Sequence, residues 1–134
     1  RHCDIAALDM ADASVDLVFC HQTFHHLIRQ QMALEQISRV LKPGGLLLFA
    51  ESTRAYIHSW IIRLLFRHPM DVQRSAGEYM AMIRDHGFTF GSQNVSLPYL
   101  WWSRPDLGAL EWFGFTVPAQ REETLVNLAA VKPE

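Results

Sequence analysis

At 134 residues, 49% hydrophobic and 19% charged, the chain has the length and apolar content to bury the core of one domain, residues 1–134. Twelve basic against fourteen acidic side chains leave a formal charge of −2, which gives no electrostatic case for nucleic acid or an anionic membrane surface and leaves small molecules as the default partners. Cys3 and Cys20 are too few for a disulfide scaffold or a four-thiolate zinc site, no apolar run approaches the roughly 18 residues of a membrane span, and no secretory leader opens the chain, so a reducing, cytoplasmic setting is expected.

The chain opens "RHCDIAALDM", without an initiator methionine or a lead-in to its first element, and is expected to be cut from the middle of something longer. "VDLVFC", Val15 to Cys20, sets apolar side chains on consecutive positions, the pattern of a strand covered on both faces in a parallel sheet. From about Gln30 to Leu41, Leu34, Ile37 and Leu41 fall on one helical face, with Glu35 and Arg39 spaced for an i, i+4 pair on the other. "KPGG", Lys42 to Gly45, supplies a cation, a proline and two glycines to stop that helix. "LLLFA", Leu46 to Ala50, predicts a second buried strand.

Between Tyr56 and Arg67 a wide apolar stripe (Ile57, Trp60, Ile61, Leu64, Leu65, with Ile62 and Phe66 beside it) predicts a helix that covers more than the sheet. Ser75 and Glu78 have capping-box spacing, and Gly87 followed by Phe88 suits a Schellman end, so a helix is placed at about Ala76 to His86. Residues 89–123 mix a possible strand near Val95 to Leu100 with turn signals at Pro98, Pro105 and Gly108. "TLVNLAAV", Thr124 to Val131, reads as the last strand.

This β/α alternation makes the first two strands parallel neighbours in a doubly wound sheet, whose ligand crevice lies outside the carboxyl ends of the strands. His21 falls at that end of the first strand and Glu51 at that end of the second. His21 and His25 share an i, i+4 spacing, but they follow a strand and lack a third ligand beyond Cys20, so no metal site is assigned. Glu51 is either a substrate contact or a solvated strand end.

"CDIAALDMADASVDLVFCHQTFHHL" followed by "ALEQISRVLKPGGLLLFAE" resembles the second half of the class I S-adenosylmethionine-dependent methyltransferases, in particular the small-molecule enzymes of the ubiquinone/menaquinone-biosynthesis type. The matching features are Asp4, the stretch through Met10, Ser14 to Val18 with Val15 where Phe is usual, His25 and His26, and Arg39 to Gly45; "MIRDHGF" is similar to a later segment of the family. The ordered set is specific, strong from Cys3 to Glu51 and looser after Ser75.

The resemblance implies an α/β, Rossmann-like methyltransferase fold in which this chain supplies strands four to seven, and S-adenosylmethionine as cofactor. It implies that Asp4 takes the adenine amino group, that the backbone N–H of Ile5 meets an adenine ring nitrogen, and that His21 lines the methionine moiety. His25 and His26 could each act as a base, orient a substrate or simply pack for shape; His26 is the candidate catalytic residue. The acceptor is expected to be small and hydrophobic, with the Tyr56 to Phe66 helix and "YLWW", Tyr99 to Trp102, as a candidate wall.

One departure matters. The family's glycine-rich loop and ribose-binding acid have no counterpart, because Gly44 and Gly45 precede a strand rather than open a helix. Strand four, Asp16 to Cys20, should therefore be an exposed apolar edge, which calls for the rest of a longer enzyme or a homodimer through that edge. A methyltransferase-derived interaction module without activity is the main rival, and a dehydrogenase is disfavoured by the absence of a dinucleotide fingerprint.

Overall fold

A computed structural model describes residues 4–67, 71–103, 107–116 and 122–134. In chain order, β1 (Val15–His21) runs through a 3₁₀ turn (Phe24–His26) into α1 (Gln30–Val40), and β2 (Leu41–Ser52) follows without a break. Two short helices, α2 (Arg54–Ile57) and α3 (Trp60–Leu65), precede α4 (Ala76–Asp85). A two-residue strand β3 (Val95–Ser96), the short helix α5 (Ala109–Trp112) and the strand β4 (Leu125–Val131) complete the set.

β1 and β2 pair in parallel, as a strand–helix–strand crossover requires, while β4 lies antiparallel to β2 and β3 antiparallel to β4. The sheet order is β1-β2-β4-β3, with β1 on the edge. This is the four-five-seven-six arrangement expected of the carboxyl half of the Rossmann-like methyltransferase sheet.

One face of the sheet carries the core. Leu34 and Ile37 of α1 and Tyr79, Met82 and Ile83 of α4 pack in one cluster with Cys20, Leu47, Phe49, Val126, Leu128 and Ala130 of the strands. Because side chains alternate across a strand, the intervening residues point to the opposite face. There Leu17 and Phe19 are 48% and 63% exposed, and Leu46 and Val131 are also open to solvent. The expectation that β1 is buried on both faces is thus corrected: among the described residues only Cys20 of β1 is fully buried, since helices cover a single face.

The "KPGG" stretch also behaves differently from a simple helix stop. Val15 stands opposite Leu41 and Leu17 opposite Leu46, so residues 42–45 bulge out of the β1–β2 ladder, and Gly44 takes a φ of +74°. The cation on the last carbonyls of α1 comes from the far end of the chain, where Lys132 Nζ donates to Ser38 O and Leu41 O at 2.7 and 2.8 Å. Lys42 pairs with Asp16 instead, at 2.8 Å. Arg39 likewise turns away from Glu35: it pairs with Asp12 at 2.6 Å and donates to Leu8 O and Met10 O, which ties the segment before β1 to α1.

The apolar stripe expected as one helix from Tyr56 to Arg67 is two. Ser59, with extended backbone (ψ 146°), starts α3 and interrupts the run; Ile57 and Ile62 are buried, while Leu64, Leu65 and Phe66 face solvent. α4 matches its sequence signals closely. Ser75 Oγ and the Glu78 carboxylate form the reciprocal capping box, Phe88 N–H bonds back to Ile83 O, Gly87 N–H bonds to Arg84 O, and Phe88 closes the core. The strand expected from Val95 to Leu100 is only Val95–Ser96, since Pro98 removes a ladder donor. Cys3 and Pro105 lie outside the described residues.

Gly45 has no room for a side chain: an added Cβ would sit 2.8 Å from Lys42 O and 3.2 Å from Asp16 O. Gly45→Ala is therefore expected to force the bulge off β1 and to lower stability by about 1–3 kcal/mol, read as a drop in the urea midpoint at unchanged m-value.

Candidate active site

The carboxyl ends of β1 and β2 are joined by one buried carboxylate. After His21, Gln22 adopts a left-handed φ of +51° and its N–H bonds to Ala50 O at 2.9 Å. That turn aims the next two amides inward: Thr23 N–H and Phe24 N–H (2.7 Å) both donate to Glu51 Oε1, while Glu51 Oε2 lies 2.8 Å from His25 Nδ1. Glu51 is 0% and His25 4% exposed. Two backbone donors and an imidazole are what a carboxylate needs to remain buried. Glu51 is thus neither a solvated strand end nor open at the crevice mouth; it holds the loop that follows β1.

The 3₁₀ turn is fixed from its other sides as well. The buried Gln30 donates through Nε2 to Phe24 O and Val72 O, both at 2.8 Å, and accepts from Arg74 Nε. Gln73 Nε2 donates to His25 O at 2.9 Å. His25 can therefore rotate little, since both its backbone and its ring are held.

Beside this ring lies a cavity of about 160 Å³, lined by Gln22, His25, Ser52, Tyr56, Ile57, Ile62 and Phe66. Ser52 Oγ donates to Gln22 Oε1 at 2.7 Å, which closes one polar wall. The helices α2 and α3 supply the apolar wall, as the sequence suggested for this segment. Of "YLWW", Trp101 lines a separate pocket with Leu107, Gly108 and Trp112, and its ring stacks over the position where Gly108 lacks a side chain.

The sequence-derived residues are distributed as follows. His26 is exposed, its ring centroid 4.0 Å from that of His25, and it is not among the cavity-lining residues. Partial burial and the neighbouring His25 hold its pKa below the usual imidazole value, with Glu51 opposing them. His21 is exposed and stacks on Phe19 at 5.8 Å. Asp4 is half-exposed; its Oδ1 accepts from Ala6 N–H at 2.9 Å and its Oδ2 lies 2.6 Å from the Arg29 guanidinium at the start of α1. Ile5 is half-buried against the core. Among the described residues no group of three or more His, Cys, Asp or Glu side chains could hold a metal ion, and no helix is long and apolar enough to cross a membrane.

What sequence reasoning missed is the pairing of Glu51 with His25. The signal was present: an acidic residue that ends an unbroken apolar strand must be buried beside donors, and the parallel neighbour's loop offers histidines.

Comparison with known proteins accords with this geometry. Residues 1–49 match the family model described as a methyltransferase domain. A malonyl-[acyl-carrier protein] O-methyltransferase of Coxiella burnetii is 49% identical over 47 residues, which are 35% of this chain and 17% of that protein. An uncharacterised methyltransferase-like protein of Schizosaccharomyces pombe is 35% identical over 86 residues, 61% of this chain and 33% of that protein. The crystal structure of an S-adenosylmethionine-dependent methyltransferase from Mesorhizobium loti superposes with a TM-score of 0.63 at 16% identity, covering 96% of this chain and 67% of that one. The chain spans only part of each of these proteins.

Fold and crevice together define a Rossmann-like α/β protein. More specifically, residues 1–49 match the methyltransferase domain model, and the described chain shares its fold with S-adenosylmethionine-dependent methyltransferases of known structure.

Two outcomes follow from the buried groups. Glu51→Ala strands the Thr23 and Phe24 amides without their acceptor and is expected to cost about 2–4 kcal/mol, measured by urea unfolding. Burial, with Glu51 nearby, pushes the Cys20 thiol up to about 12 from its ordinary 9.0. An unfolded thiol ionises at lower pH than this one, so the folded state should lose stability as pH rises from 9.0 through about 12, and native Cys20 should stay unreactive to a thiol-specific disulfide reagent near pH 8.

Proposed function

We propose that the chain is the carboxyl part of an S-adenosylmethionine-dependent methyltransferase, a single unit over residues 1–134 that acts within a longer enzyme or with a partner chain. The observation that carries this reading is the crevice at the carboxyl ends of β1 and β2, where the loop after β1, within the family-matched residues 1–49, is locked by Glu51 just beyond them. That is where a doubly wound sheet binds its ligand.

The residues present suit the adenine end of the cofactor. Asp4 offers a half-exposed carboxylate with acceptor capacity left beside Arg29, and Ile5 follows it on the same turn, so an exocyclic amine and a ring nitrogen could be read together. His21, exposed at the end of β1, would line the methionine portion. When bound, S-adenosylmethionine supplies an electrophilic methyl group, and the protein's share is alignment and exclusion of water. The acceptor is small and apolar in part, placed against Ile57, Ile62 and Phe66. His26, the candidate catalytic residue of the sequence, is exposed beside His25 but is not among the residues that line this cavity.

A second reading draws on the open sheet face. Leu17 and Phe19 are exposed on the edge strand, so Asp16 to Cys20 is a surface on which a second copy could pair, and an interaction role would use the same surface.

Calorimetry on the full-length protein tests the main reading: S-adenosylmethionine should bind, and Asp4→Ala should weaken it about tenfold. No binding up to millimolar cofactor would remove the reading. Sedimentation equilibrium tests the second: a dimer that Phe19→Lys converts to monomer supports pairing through β1, and a wild-type monomer excludes it.

A further inference from the structure

We propose that this protein docks on the surface of an anionic lipid bilayer, through the exposed aliphatic and aromatic side chains of α3 and α5 and the two arginines that bracket the α3 cluster. The stretch "RLLFR", Arg63 to Arg67, carries the first part of the argument. Leu64, Leu65 and Phe66 are consecutive and all exposed, Leu64 by 74%. A run of three exposed apolar residues is a cost to a surface that faces only water, so it calls for a function. α3 keeps Ile62 in the core, and because a helix turns about 100° per residue it cannot bury the next three as well.

α5 and the residues after it supply the second part. Leu110, Trp112, Phe113 and Phe115 are exposed, Trp112 by 87%, and the rings of Trp112 and Phe113 lie 5.7 Å apart. The two helices belong to one region of the molecule. The 3₁₀ turn Trp101–Ser103 lies against α3, and the Trp101 ring packs over Gly108 at the start of α5, in a pocket shared with Leu107 and Trp112. Trp101 is itself exposed, so it joins the two apolar clusters into one surface.

Shape, charge and continuity favour a bilayer over a protein partner. A ring as exposed as Trp112 enters a fluid interface without needing a matching hollow, whereas the aromatic anchors of protein interfaces fill pockets. Arg63 and Arg67 are exposed at the two ends of Leu64 to Phe66, where guanidinium groups meet headgroup phosphates while the apolar residues between them reach below. Glu111 on α5 opposes them in part, and a chain with a formal charge of −2 exerts no long-range pull, so the attraction is local to the two arginines. At six and four residues, α3 and α5 are far shorter than a span and would lie within the interface of one leaflet. Phe66 also lines the cavity beside His25, together with Ile62, so the docking surface and the candidate site share a residue. An apolar molecule dissolved in the bilayer would enter that cavity past Phe66.

The test needs no cofactor, so its outcome is separate from that of the methyl-transfer reading. Full-length protein is sedimented with vesicles of phosphatidylcholine alone and of an equimolar phosphatidylcholine–phosphatidylglycerol mixture. Wild-type protein should bind the mixed vesicles about tenfold more tightly than the neutral ones, with the difference shrinking as salt rises. Trp112→Ser, and separately Leu64→Ser with Leu65→Ser, should each weaken binding to the mixed vesicles about tenfold; these positions are exposed, and circular dichroism checks that the fold is kept. Arg63→Ser with Arg67→Ser should remove the preference for anionic vesicles and leave binding to neutral ones within about twofold. No sedimentation with either vesicle, or binding that the α3 and α5 variants leave unchanged, overturns the proposal. Equal wild-type binding to both vesicles overturns the role given to the arginines. Self-association that Trp112→Ser abolishes, without binding to vesicles, assigns the surface to a second copy of the chain and overturns the proposal as well.

Discussion

A carboxylate with no exposure to solvent, Glu51, is the point on which the working end of this fold depends. It belongs to β2, yet its oxygens are satisfied by the loop that follows β1, through the Thr23 and Phe24 amides and the His25 ring. A buried charge is tolerated only where donors surround it, so the two strand ends and the 3₁₀ turn must come together for any of them to be stable. The left-handed backbone of Gln22 belongs to the same constraint, since it lets consecutive amides converge on one oxygen. Gln30, Gln73 and Arg74 then brace the turn from behind. The result is a rigid histidine at the end of a parallel strand, next to a small cavity.

The rest of the sheet is built asymmetrically around this point. α1 and α4 seal one face, while Leu17, Phe19, Leu46 and Val131 line the other without cover among the described residues. Apolar residues on consecutive positions of β1 are chemically suited to a strand with layers on both sides. The sequence pattern thus suits a strand with two covered faces, whereas among the described residues helices cover one.

Much of the fold was legible because it depends on local rules. The Ser75–Glu78 capping box and the Gly87–Phe88 end of α4 are set by residues a few positions apart, and they took the form their spacing implied. The parallel β1–β2 pair followed from the handedness of the crossover, and the strand order from the resemblance. Where interactions come from afar the sequence was silent or misleading. The cation at the end of α1 is Lys132 rather than Lys42, and Arg39 prefers Asp12 to Glu35. The break at Ser59 follows the same logic, because hydrophobic spacing alone does not register where a stripe must bend.

For the site, the sequence by itself determined the chemistry at hand: an acid at the end of one parallel strand, histidines after its neighbour, and Asp4 and Ile5 on the segment before them. Only the tertiary structure decided which histidine is buried. His25 and His26 are adjacent and alike in sequence, but a 3₁₀ turn sends one ring inward to Glu51 and leaves the other in solvent. The physical reason is that a buried carboxylate selects its partner by geometry, and that geometry exists only once β1 and β2 lie side by side.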